Sequence, residues 1–198
     1  MDILPLASQI AQEQMRWTQE WHLADVVVPS GEGFLCLVAE NHSRNYKLWH
    51  EEDLARRDDI GAEPVRDAKR AIDRYNQQRN DFIEQMDKAL VAALQPKESG
   101  VAFNSETPGM MIDRLSILAL KDYHMQEQVD RLDASAEHRA NCQRKLAVIR
   151  RQRADLCGCL QCLLDEVRKG TRSFRVYFQF KMYNDPSLNP QLYAGRKA

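Results

Sequence analysis

Residues 104–124 read NSETPGMMIDRLSILALKDYH, and the rest of the chain can be arranged around them. Thr107 followed by Pro108 is typical of an N-cap and the first helical position, because proline lacks the N–H that would be unpaired there. From Met111 to Tyr123 nearly every side of the helix is apolar, which is typical of a helix surrounded by other helices. The stretch therefore predicts the central helix of a bundle.

Charged residues interrupt this apolar helix. Asp113 lies between Ile117 and Leu120 on the helical wheel, and Arg114 and Lys121 share one narrow face. A buried charge without a partner costs several kcal/mol, so we expect neighbouring helices to supply partners.

Apolar residues at helical spacing predict four further long helices. We expect an all-α, single-domain helical bundle of five long helices plus a short C-terminal helix. The helices are predicted at about 5–22, 34–58, 64–94, 108–132 and from the break at 133–135 to 169, where Gly170 would end the last one. The N-terminal helix and connector would occupy 1–32, the bundle core 33–185 and a turn-rich tail 186–198.

The segment 173–184 is ambiguous between helix and strand. Phe174, Val176, Phe178, Phe180 and Met182 alternate as in a strand. No partner strand is evident, and an isolated strand leaves its backbone unpaired, so we expect the short helix here.

The overall composition restricts the function. The chain has 198 residues, with 28 basic and 29 acidic side chains and a net charge of −1, which argues against general binding to nucleic acid or anionic membranes. No apolar run approaches the length of a membrane span, and the N-terminus lacks the pattern of a signal peptide. Five cysteines in such a chain are expected to be reduced thiols, so we expect a cytoplasmic protein.

Polar residues lie on the predicted core faces of three consecutive helices. An up-and-down bundle would bring these faces together. One interpretation is a satisfied hydrogen-bond network that fixes helix register; the other is a polar pocket that binds a ligand, favoured because there are more polar positions than register needs. The candidates are His42, Asn45, His50, Glu52 and Asp53 in the second helix, Asp73, Asn76, Arg79 and Asn80 in the third, and Asp113, Arg114 and Lys121 in the fourth.

The spacing of possible ligands predicts no metal site and no cofactor. A di-iron bundle needs Glu-x-x-His pairs, and no histidine here follows a glutamate by three residues. Cys157 and Cys159 point apart on a helix and cannot share a metal with Cys162, so packed thiols are expected. Six cations between Arg139 and Arg153 predict a solvated face paired with acids, with a local phosphate site as the alternative.

Four motifs occur in order along the chain: NYxLWHEED at 45–53, DxxNQxRND at 73–81, NSETPG at 104–109 with IDRLSIL at 112–118, and QFKMYNDP at 179–186. Together they resemble a bacterial family, the domain-of-unknown-function family 4254. The resemblance covers about residues 30–195, and the cysteines and the arginine run lie outside its motifs. It implies a small cytosolic helical protein, often encoded among glycosyltransferases of lipopolysaccharide or other surface-glycan assembly, with no established activity.

The pattern and the resemblance together predict a protein that binds a small anionic or sugar-like ligand in surface-glycan metabolism. Arg79 and Arg114 would hold an anion, asparagines would hold hydroxyl groups, and His50 with Asp53 would move protons if there is catalysis. The alternative is a non-enzymatic partner of a glycosyltransferase, in which the same residues build a scaffold. Whether the protein is an enzyme stays open at this stage, and a homodimer is expected from the long helices.

Overall fold

The computed structural model describes residues 6–180, 182 and 185–194, and it confirms the all-α fold. Five long helices form a bundle, and β2 (Arg172–Ser173), one of the short elements, packs against its fifth helix. In chain order the elements are α1 (Ala7–Leu23), α2 (Phe34–Leu54), α3 (Ala62–Leu94), β1 (Ala102–Phe103), α4 (Pro108–Asp130), α5 (Ala136–Arg168), β2 (Arg172–Ser173) and α6 (Pro190–Tyr193). None of the described helices is long and apolar enough to cross a membrane.

Helix α4 is the centre of the bundle, as its sequence predicts. It packs against α1, α2, α3 and α5. The hydroxyl of Thr107 accepts a hydrogen bond from the backbone N–H of Met110, and Pro108 occupies the first turn. Ile112 and Leu115 are fully buried on the faces that pack against these helices, whereas Arg114 and Lys121 lie on an exposed face of α4.

Gly109 sets how closely α3 approaches the start of α4. A Cβ at this position would lie 2.7 Å from both the carbonyl oxygen of Ile83 and Oδ1 of Asp87. The backbone N–H of Gly109 instead donates to Asp87 Oδ1 at 2.7 Å. The carboxylate therefore pairs one of the free N–H groups at the helix start, and only glycine leaves room for it.

The other helix ends follow the predicted signals closely. Helix α5 begins after Ser135, whose hydroxyl accepts from the backbone N–H of His138, and Gly170 follows its end with φ of 66°. Helix α2 ends at Leu54, about one turn before its predicted end near 58. The predicted start of the first helix near residue 5 lies outside the described residues.

The helix predicted over 173–184 is wrong for residues 173–180, and residues 181, 183 and 184 lie outside the described residues. Ser173 belongs to β2, which pairs in parallel with β1, and residues 174–180 form no helix. The partner strand β1 lies in the loop before α4 and has only two residues. The backbone N–H of Asn104 extends the pairing, because it donates to the carbonyl oxygen of Ser173 at 2.8 Å. Phe174 is buried in the core, which holds the segment against the bundle. The short C-terminal helix lies further on, at Pro190–Tyr193.

Candidate ligand-binding site

Asp113 is buried where α2, α3 and α4 meet, and four N–H groups donate hydrogen bonds to its carboxylate. Arg79 on α3 binds it through two nitrogens, with Nε at 2.8 Å from Oδ1 and Nη2 at 2.7 Å from Oδ2. Asn41 and Asn45 on α2 each donate a side-chain N–H to Oδ1, at 3.0 and 2.9 Å. The Asp113 side chain is only 3% exposed, so its charge depends on these donors.

A chain of hydrogen bonds continues from Asn45 across α4 to α1. Asn45 donates to Ser116 Oγ at 3.0 Å, and Ser116 Oγ lies 2.7 Å from His42 Nδ1. On the far side of the ring, His42 Nε2 lies 3.0 Å from Thr18 Oγ1, whose hydroxyl donates to the carbonyl oxygen of Gln14. Because the Thr18 hydrogen is committed, His42 Nε2 carries the proton and Nδ1 accepts from Ser116.

We call these residues, namely Thr18, Asn41, His42, Asn45, Arg79, Asp113 and Ser116, the Asp113 network. His42 is completely buried. Its burial, with a smaller effect from the charge of Arg153, lowers the pKa of the imidazole to about 3. The ring is therefore neutral at physiological pH, which agrees with one donor and one acceptor nitrogen.

An open cleft of about 340 Å³ lies beside the network, between α2, α3 and α4. The Arg79 side chain is 26% exposed and lines this cleft while it holds Asp113. Trp49 and Ile117 supply apolar surface, and Asn76 supplies an amide whose oxygen lies 3.5 Å from Arg79 Nη1. At the edge, Arg56 pairs with Glu52 at 2.6 Å. The cleft thus combines a fixed guanidinium with an aromatic ring and amide groups.

The structure brings together part of the predicted site. Asn45, Asn76 and Arg79 line the cleft, and Asp113 lies directly behind Arg79. Asp53 also lines it. These side chains come from three helices, as the polar pattern predicts.

Four predicted ligand-binding residues lie elsewhere. Arg114 forms an ion pair with Glu106, and Arg114 and Lys121 line a separate groove between α4 and α5. Successive residues of a helix point about 100° apart, so Arg114 cannot share the direction of Asp113. Asp73 is exposed and Asn80 half-buried on α3, and neither lines the cleft.

His50 and Asp53 are the predicted acid–base pair. Among the hydrogen bonds of the described residues, none joins their two side chains. The His50 ring lies against His22 of α1 and His124 of α4, with ring centroids 5.3 and 5.8 Å away. Asp53 is exposed at the cleft. The three-residue spacing makes the two residues neighbours on α2, but their side chains point to different surroundings.

Sequence reasoning missed a group of three histidines that could hold a metal. One ring nitrogen from each of His22, His50 and His124 lies within 4.8 Å of the other two. They belong to α1, α2 and α4 and follow none of the short ligand spacings that a sequence search tests. The only available signal was that each lies near tryptophan or tyrosine in the chain, which indicates a partly buried ring.

The cysteines and the arginine run follow their predicted positions only in part, since Arg153 is half-buried and donates to the carbonyl oxygen of Ala11. Cys157 packs against the core, whereas Cys159 and Cys162 are exposed, so the predicted packing holds for one of these three thiols. Arg150 pairs with buried Asp122 at 3.1 Å, in line with the expected charge pairing of this face.

The site therefore belongs to a helical bundle protein with a buried ion pair beside an open cleft. Residues 36–176 match the family model DUF4254, whose description is "Protein of unknown function". The match covers well over half of the chain, so the chain belongs to this family, and the predicted resemblance is confirmed. No curated protein and no solved structure gives a significant match.

Proposed function

We propose that the chain binds a small polar ligand of the sugar-phosphate class in the cleft between α2, α3 and α4. The observation that carries this proposal is the position of Arg79, which lines the cleft while the buried Asp113 holds its guanidinium in place. A guanidinium has five N–H donors, and Arg79 commits one Nε and one Nη2 donor to Asp113. Its remaining donors can bind a phosphate without breaking the buried pair.

The other lining groups suit a sugar. Trp49 offers a flat apolar ring, Asn76 offers an amide, and Asp53 offers a carboxylate that accepts from hydroxyl groups. The Glu52–Arg56 pair at the edge is exposed, so Arg56 can exchange its partner for a phosphate at little cost.

The size of the cleft favours a sugar phosphate over a nucleotide sugar. A volume of about 340 Å³ is near the lower limit of small-molecule sites, which span roughly 300–1,000 Å³. A nucleotide sugar would extend beyond it. A role in lipopolysaccharide or other surface-glycan metabolism in the cytoplasm is part of this proposal and comes from the family resemblance.

The test is a titration with sugar phosphates and nucleotide sugars, followed by thermal unfolding. A ligand at 100 times its Kd should stabilise the wild-type chain by about 2.7 kcal/mol. Asn76→Ala should weaken binding at least about tenfold while Tm changes little, because Asn76 lines the cleft without contacting Asp113. The matched control is Asn80→Ala, one turn along α3 and outside the cleft. Failure of every such ligand to shift the wild-type Tm, or equal losses in both variants, would overturn the proposal.

A second candidate is a non-enzymatic partner of a glycosyltransferase. The observation that favours it is that the oxygens of the Asp113 carboxylate accept hydrogen bonds from side chains of the chain itself, as expected of a scaffold. In that case every substitution in the motifs should reduce partner binding only in proportion to stability. Asn76→Ala separates the two candidates, since a scaffold would keep its function when its stability is unchanged.

A further inference from the structure

Three histidine side chains meet where α1, α2 and α4 pack together. They are His22, His50 and His124, which we call the histidine cluster, and each is half-buried. One ring nitrogen of each lies within 4.8 Å of the others. The Nε2 atom of all three is buried and has no hydrogen-bond partner.

The contacts of Nδ1, the other ring nitrogen, show whether Nε2 carries a hydrogen. His22 Nδ1 lies 2.6 Å from the carbonyl oxygen of Thr18, which only accepts, so Nδ1 carries the hydrogen. His124 Nδ1 lies 2.7 Å from the Glu127 carboxylate and likewise donates. In the neutral rings of His22 and His124, Nε2 therefore carries a lone pair and no hydrogen. A buried acceptor left without a partner costs about 1–3 kcal/mol, and this arrangement places several together.

We infer that His22, His50 and His124 bind one divalent transition-metal ion of the zinc class. Neutral imidazole is a preferred ligand of zinc, and three histidines with a fourth open position form a known type of zinc site. Zn–N bonds of about 2.0–2.1 Å in a tetrahedron place the nitrogens about 3.4 Å apart. Each ring of the cluster would have to move by less than about 1 Å to reach this geometry.

The surroundings of the cluster hold the rings as a metal site requires. Metal-binding histidines usually donate their second N–H to a carboxylate or a backbone carbonyl, which fixes the tautomer. Glu127 does this for His124 and Thr18 for His22. Tyr123 stacks on His22 with ring centroids 3.9 Å apart, and Trp49 stacks on His124 at 4.6 Å. These contacts restrict rotation of the rings.

Ring packing by itself does not account for the cluster. Stacking explains why Trp49 and Tyr123 lie against the histidines, but it does not require one ring nitrogen of each of the three histidines to converge. This inference rests on the histidine cluster alone and is independent of the ligand proposed for the cleft.

The test is a zinc titration of the full chain without a purification tag, after removal of metal with a chelator. Calorimetry should show one Zn²⁺ bound per chain, and Zn²⁺ should raise Tm. Any single substitution to alanine in the cluster should weaken binding at least about 100-fold, and Glu127→Gln about tenfold, since partners of metal ligands contribute 10–100-fold. His138→Ala is the matched control, because His138 is exposed on α5, and it should leave zinc affinity unchanged.

Cobalt distinguishes the histidine cluster from the thiols. The wild-type chain with Co²⁺ should show the visible bands of a nitrogen-bound ion without thiolate charge-transfer absorption, and this spectrum needs no variant to fold. Absence of stoichiometric zinc binding, a thiolate band that disappears in Cys159→Ser/Cys162→Ser, or equal loss of affinity in His138→Ala would each overturn the inference.

Discussion

The Asp113 network and the histidine cluster are both polar groups inside a helical bundle, but they differ in how their atoms are satisfied. The carboxylate of Asp113 receives hydrogen bonds from Arg79, Asn41 and Asn45. The Nε2 atoms of the histidine cluster have no partner. A satisfied buried group costs little once formed and stabilises one arrangement of helices, whereas an unsatisfied one costs about 1–3 kcal/mol. Both regions are polar interiors, and the histidine cluster is the one for which we infer a metal ion.

Removing the charge partner of Asp113 should have the largest effect. Arg79→Ala leaves a buried carboxylate with only amide donors, so we expect a loss of about 3–5 kcal/mol in the free energy of unfolding, measured by urea denaturation. The control is the double variant Arg79→Leu/Asp113→Leu, which removes both charges and should recover part of the loss, since Asn41 and Asn45 still lose their acceptor. A loss below about 1 kcal/mol for Arg79→Ala would mean that the network does not hold the bundle together.

The close approach of α3 to α4 should be the next most sensitive feature, because Arg79 reaches Asp113 across it. Gly109→Ala places a Cβ against Asp87 and the backbone of Ile83, so we expect a loss of about 1–3 kcal/mol by the same measurement. Gly158→Ala is the control, since a Cβ there meets no atom within 4 Å. It should stabilise α5 slightly, and a similar loss in both variants would contradict this account.

Acid should weaken the network through His42. Its pKa in the folded chain is about 3, whereas the unfolded chain has the ordinary value of 6.5. Only the unfolded state therefore takes up this proton between pH 6.5 and 3, so the stability contribution is complete above pH 6.5 and falls as the pH falls. At pH 5 the loss should be about 2 kcal/mol relative to pH 7.

The charged groups that act on His42 are Arg153 on α5 and His22 on α1. His42→Gln is the control, because it retains the other titrating groups. The difference in pH dependence between wild type and variant should isolate the contribution of His42. Parallel curves for the two proteins would contradict it.

The smallest effect should come from the metal-free histidine cluster. His50→Phe keeps a ring of similar size against Tyr46 and removes one unpaired nitrogen, so the metal-free stability should change by less than about 1 kcal/mol or increase. With zinc present, the variant should lose the stabilisation that the wild-type chain gains. A large metal-free loss would show that the ring is needed for packing, which would remove the contrast between the two regions.

Much of the fold was accessible from the sequence because its signals are local. Thr107 and Pro108 cap α4, and the apolar residues between Met111 and Tyr123 identify it as the central helix. Helical spacing also placed Asn45 and Arg79 on core faces. The segment after Ser173 was assigned wrongly because its partner, β1, is a two-residue strand in a loop that no pattern marks.

The sequence alone determined that charged and amide side chains would lie inside a five-helix bundle, since periodicity tells which face of a helix is buried. Only the tertiary structure decided which of them meet. It paired Arg79 with Asp113, turned Arg114 towards Glu106, and assembled His22, His50 and His124 from three helices. The reason is physical: the direction of a side chain depends on the rotation and crossing of packed helices, and small changes in either decide whether two polar atoms are within bonding distance.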